Sequence, residues 1–148
     1  MGEPARAFAA IDSAIQLARA LGTRSEVIDD LRILGDLFRS AGDHANALES
    51  YRSAEALLDS TSTPDLRARL YRSRAQVLLA LNEPANATRL LEDALALHVQ
   101  QQMRHAAFED RLLLAVAATQ SGRLDQARRE LDEANQTLDS LDAPIARS

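Results

Sequence analysis

The sequence predicts an all-α protein assembled from repeated antiparallel helix pairs. Three observations carry that prediction. Of 148 residues, 28 are Ala and 24 are Leu, both strong helix formers, while β-branched residues are scarce. Small and large apolar residues recur at a period of 40. The four prolines fall on two phases of that period: Pro4 and Pro84 are 80 residues apart, as are Pro64 and Pro144.

The spacing predicts seven helices, at 4–20, 25–41, 44–60, 64–81, 84–101, 105–121 and 124–140. The first opens at Pro4, a position that tolerates a missing N–H, and carries Ala7, Ile11 and Ala14 on one face. The second carries Leu31, Leu34, Gly35 and Phe38 and stops at Gly42, a residue suited to the left-handed turn after a helix. The third repeats the first pattern as Ala47, Tyr51 and Ala54. The fourth opens at Pro64 behind Thr63, a good N-cap, and carries Arg74, Ala75 and Leu78 before Asn82. The fifth opens at Pro84 with Ala87, Leu91 and Ala94. The sixth carries Leu114, Ala115 and Ala118 and ends at Gly122; the seventh carries Ala127, Leu131 and Ala134. Helices before the Gly42/Asn82/Gly122 column are type A and those after it type B. Connections of about 2–4 residues make neighbours antiparallel. The chain reads as one domain over 1–148, with an unpaired B helix at 4–20 and repeats at about 25–60, 64–101 and 105–140.

These columns resemble the tetratricopeptide repeat. The best copy is Leu31-x2-Leu34-Gly35-x2-Phe38, followed by Gly42, Ala47, Tyr51 and Ala54. Departures are Arg74 and Arg111 at apolar positions and Asp59 at the usual Pro. The period exceeds the usual 34 and matches HEAT lengths, but the two signatures in register point to the tetratricopeptide family. The resemblance implies a right-handed superhelical solenoid. Repeats of this length resemble those of bacterial multidomain signalling and transcription regulators. The chain opens on a B helix and closes near Pro144, where an A helix would start. It therefore reads as a segment of a longer array. The alternative is a short protein that hides exposed repeat ends in a homodimer.

Chemistry-bearing patterns are few. Cys is absent, and neither phosphate-binding glycine loops nor hydrolase or zinc-protease motifs occur. No enzyme activity, cofactor or metal is expected. His44, His98 and His105 read as solvated surface residues, and Asp29-Asp30 and Glu109-Asp110 as exposed helix charges. A net charge of −5 disfavours nucleic acid, and Arg67, Arg69, Arg72 and Arg74 do not form one helical stripe. With neither a signal peptide nor a run of apolar residues that could span a bilayer, a cytoplasmic location is expected.

The remaining candidate is a groove. In the resembled family the A helices line the concave side. Its ligand-facing positions are Asp29, Arg32, Asp36 and Arg39 in the first repeat, and Arg69, Arg72, Gln76 and Leu79 in the second. The third offers Glu109, Leu112, Val116 and Thr119, in an apolar run from Leu112 to Ala118 that is core, ligand pocket or self-association face. Arginine forks suit carboxylates, so the expected partner is a protein or peptide with an acidic segment beside an apolar side chain. Helix spacing also allows Arg32 to pair with Asp36 and Arg69 with Asp65, leaving less for a partner. The expected function is non-catalytic peptide-binding scaffolding. A ligand-sensing regulatory segment and a self-association module are the alternatives.

Overall fold

A computed structural model describes residues 9, 12, 13, 15–17 and 19–142; those before residue 22 are helical. Six bounded helices follow: α1 (Arg24–Ser40), α2 (His44–Ala56), α3 (Pro64–Ala80), α4 (Pro84–Gln100), α5 (Arg104–Gln120) and α6 (Leu124–Asp142). No strand occurs among the described residues. Pro4 and Pro144 lie outside them, while Pro64 and Pro84 open α3 and α4 as expected.

The ends of the helices follow from local chemistry. Thr23 accepts from Glu26 N and the Glu26 carboxylate takes the Thr23 N–H, a full capping box. Thr63 Oγ1 accepts from Leu66 N, and Asp43 accepts from Asn46 N. At the C-termini Gly42, Asn82 and Gly122 take φ of 79°, 58° and 72°, as the column predicts. Gln102 takes φ 58° after α4, which the 40-residue ruler did not indicate. At all four turns the next N–H closes back on the helix: Asp43 on Phe38 O, Glu83 on Leu78 O, Met103 on His98 O and Arg123 on Ala118 O.

Helix α2 stops at Ala56, four residues short of the predicted 60. Asp59 stops it from running on. Its carboxylate takes the Thr61 N–H at 2.8 Å and the Thr61 hydroxyl at 2.6 Å, fixing a turn. Those bonds hold the Asp59 carboxyl below the usual carboxylate range, Thr61 hydroxyl first.

Each helix packs on its chain neighbours. The A helices α1, α3 and α5 also touch one another in sequence, whereas α2, α4 and α6 do not. The A helices therefore form the tight inner layer and the B helices the outer one. Between the layers, Ile28, Tyr51, Leu70, Val77 and Leu91 are fully buried among small residues such as Ala47, Ala54, Ala87 and Ala94. Burying each large side chain contributes about 1.5–3 kcal/mol. The two arginines at apolar family positions are accommodated by ion pairs between helices. Arg74 donates to Glu55 at 2.9 Å, and Arg111 pairs with Glu130 at 3.4 Å and with Glu133. Burial leads in pushing the Glu130 carboxyl up, with Arg111 pulling the other way.

Candidate functional site

The inner layer carries a cleft of about 390 Å³. Helix α1 supplies Arg32, Asp36 and Arg39; α3 supplies Arg69, Arg72, Ser73 and Gln76; α5 supplies Glu109, Leu112 and Leu113. These spacings of three and four put one side of each helix into the cleft. Eight of the twelve sequence-predicted residues meet here. Asp29 sits beside the cleft and holds Arg32 at 2.9 Å. Val116 and Thr119 are exposed further along α5 and do not line it. Leu79 does not face a ligand: it is 7% exposed, packed into the core with Leu91 and Leu114. Within the apolar run, Leu114, Ala115, Ala117 and Ala118 are core, while Leu112 and Val116 stay on the open side.

Four guanidiniums and two carboxylates line the cleft, and Asp29, Asp65 and Asp110 beside it also pair with those arginines, so the site carries no positive excess. The arginines are not equivalent. Arg32 is held by Asp29 and by Asp36 at 3.0 Å, so the spacing-based pairing forms. Asp36 also accepts the Tyr51 hydroxyl at 2.6 Å, tying the cleft to the core. Burial, and then this bond to Asp36, push the Tyr51 phenol far above its ordinary value.

Arg72 is more constrained than the sequence suggests. It is 15% exposed and donates to Asp110 at 2.7 Å, to Glu109 at 2.6 Å and to Ala106 O at 2.9 Å. Its role is to clamp α3 to α5. Arg69 places its buried Nε 3.0 Å from Asp65 Oδ2, an ion pair too far off line to be a hydrogen bond. Arg39 lies 3.7 Å from Asp36, beyond hydrogen-bond reach, and its guanidinium also faces the Tyr51 hydroxyl. Arg39 and Arg69 are thus each met by one carboxylate, where Arg32 and Arg72 each have two. Leu112 and Leu113 supply apolar wall, and Ser73 and Gln76 neutral polar groups.

Two residues behind the cleft overturn the sequence reading. His98 and Asp110 are fully buried rather than solvated. His98 Nδ1 lies 2.5 Å from Asp110 Oδ2, and its Nε2 lies 3.5 Å from Asp65 Oδ1. The 40-residue columns hold the signal for His98. His98 aligns with Leu58 and Leu138, whereas Asp110 aligns with Asp30 as well as the buried Leu70. A polar residue in the apolar His98 column needs a buried partner, and Asp110 supplies it. Arg67, Arg69, Arg72 and Arg74 reach in different directions, to Asp59 O, Asp65, Asp110 and Glu55, so they form no basic stripe. Among the described residues, no group of three metal-ligating side chains is gathered, and no helix is long and apolar enough to cross a membrane.

No protein-family model matches the chain, and no curated protein matches it. Among solved structures it is similar to BtubC (BKLC) from P. vanneervenii, with TM-score 0.79 and 21% identity over 96% of this chain. The chain spans 59% of that protein's length. Two MamA structures align at 18% identity with TM-scores of 0.42 and 0.41, covering 95% and 97% of this chain and 96% and 91% of theirs. The first likeness, with the alternating inner and outer helices, shows an all-α helical-repeat fold.

Proposed function

We propose that the protein is a non-catalytic, tetratricopeptide-like scaffold that captures an acidic peptide segment of a partner protein in the α1/α3/α5 cleft. The observation that carries this is the pair Arg39 and Arg69 in one cleft, each met by a single carboxylate, Asp36 at 3.7 Å and Asp65 at 3.0 Å. Arginine forks bind carboxylates through parallel charge-assisted hydrogen bonds. The neighbouring Leu112 and Leu113 suit an apolar side chain between the acids. Arg32 and Arg72 shape the cleft, because their own carboxylates already hold them.

Fluorescence anisotropy tests this with a labelled nonapeptide of alternating Glu and Leu, and its Gln counterpart. The Glu peptide is expected to bind, the Gln peptide to bind at least about tenfold more weakly, and affinity to fall with added salt. Arg39→Ala and Arg69→Ala should each weaken the Glu peptide about three- to tenfold. Equal binding of both peptides, or binding of neither, overturns the reading.

A second reading, pairing of two copies, has one observation behind it. Leu124, Leu131 and Leu138 recur every seven residues along α6 and are 65%, 44% and 40% exposed. Leu131 occupies the column of the fully buried Tyr51 and Leu91. Sedimentation of the wild type beside Leu131→Glu decides it. A concentration-dependent dimer lost in the variant supports pairing; a monomer at all concentrations removes it.

A further inference from the structure

His98 lies outside the cleft surface, yet it connects the counter-ions of two cleft arginines. From α4 it reaches Asp110 on α5 through Nδ1 and approaches Asp65 on α3 through Nε2. Asp110 holds Arg72, and Asp65 pairs with Arg69. The line Arg69, Asp65, His98, Asp110, Arg72 therefore begins and ends in the cleft.

Asp110 accepts from Arg72 through Oδ1, and its Oδ2 lies 2.5 Å from His98 Nδ1, the geometry of a carboxylate accepting from the ring N–H. Nε2 is buried and makes no hydrogen bond. It is the atom whose proton can come and go. Charged groups face His98 from two packed helices: Asp65 with Arg69 behind it on α3, and Asp110 with Arg72 behind it on α5. Arg104 and Arg111 of α5 share with His98 the wall of a cavity of about 300 Å³, to which α6 adds uncharged Thr137.

We propose that His98 is a positioning residue that makes peptide capture proton-linked, an inference that rests on the acidic-peptide reading of the cleft. A proton on Nε2 turns a donor toward Asp65 and adds a positive charge one residue behind each cleft arginine. Asp65 and Asp110 are then shared with the imidazolium, and the guanidiniums of Arg69 and Arg72 are less fully neutralised. Both effects favour an anionic ligand. Affinity for the Glu peptide rises as the pH is lowered from about 8 to about 5.5. The peptide carboxylates stay ionised over most of that span, since Glu titrates near pH 4.3.

The test is the anisotropy titration repeated from about pH 8 to about pH 5.5. The wild type should bind the Glu peptide about three- to tenfold more tightly at the acid end. His98→Gln should flatten that slope. The double variant His44→Gln/His105→Gln should keep it, which matters because His105 lies 3.5 Å from Glu109 in the cleft wall. Linkage is reciprocal, so saturating peptide must raise the His98 titration midpoint seen by imidazole NMR by the matching amount. That second readout uses the wild type and decides the matter if His98→Gln does not fold. Peptide binding that is flat with pH, or a slope carried by His105, overturns the inference and leaves the acidic-peptide reading standing. No binding of the Glu peptide at any pH overturns both.

Discussion

The ring of Tyr51 occupies the space a side chain at position 35 would need. A Cβ placed on Gly35 would stand 2.3 Å from Tyr51 Cε1 and 2.7 Å from Cδ1. Gly35 lies mid-helix in α1, where glycine costs about 1 kcal/mol relative to alanine. The close approach accounts for it. The equivalent positions hold Ala75 and Ala115, and there the facing column holds the smaller Leu91 and Leu131.

Gly35→Ala should therefore destabilise the protein by about 1–3 kcal/mol, despite alanine's better helix propensity. Combining it with Tyr51→Leu should recover part of the loss, so the two changes should not add. Urea unfolding of the double-mutant cycle measures this. Additive effects would show that the two sites do not meet.

Gln102→Gly should stabilise by about 0.5–1 kcal/mol, because residue 102 holds φ at 58°, where a Cβ is strained. Gly42→Ala should lose a similar amount although open space surrounds the site, since only its φ of 79° opposes the side chain. Thermal unfolding of both variants checks the paired signs.

Asp110→Ala should cost about 3–5 kcal/mol, because it leaves Arg72 and His98 without their shared buried carboxylate. Glu49→Ala, which removes an exposed partner 3.9 Å from Arg52, should cost less than about 0.5 kcal/mol. Similar losses in the two variants would contradict the account of the buried network.

Asp59 and Glu130 should act on stability with opposite pH signs. The Asp59 carboxyl is lowered by folding, so its contribution is present above the unfolded value and fades as pH falls through the folded one. The Glu130 carboxyl is raised, so its contribution is present at low pH and fades as pH rises through the folded value. Asp59→Asn should flatten the acid limb of a urea-midpoint profile below about pH 4. Glu130→Gln should reduce the decline of stability on the rising limb above that.

Much of the fold was legible because helix periodicity, proline phase and the Gly42/Asn82/Gly122 turns are local signals repeated on one ruler. The cleft rows came from the resemblance to the tetratricopeptide repeat, and of the α3 row Leu79 turned into the core. The end of α2 was missed because Asp59 builds a turn from hydrogen bonds that helix-forming neighbours do not reveal. The His98–Asp110 pair was missed because Asp110 was read beside Glu109 as an exposed charge, while its partner lies 12 residues away on α4. Arg72 looked available for the same reason, since its partners lie 34–38 residues away on α5.

Amide chemical-shift mapping reads out where the peptide is captured. Titrating the alternating Glu–Leu peptide into isotope-labelled protein should shift the amides of Arg39, Arg69, Gln76 and Leu112 together, with one midpoint. The outer faces of α2 and α4 should stay unchanged. Shifts clustered on α6 around Leu131, or scattered over both layers, would contradict the account.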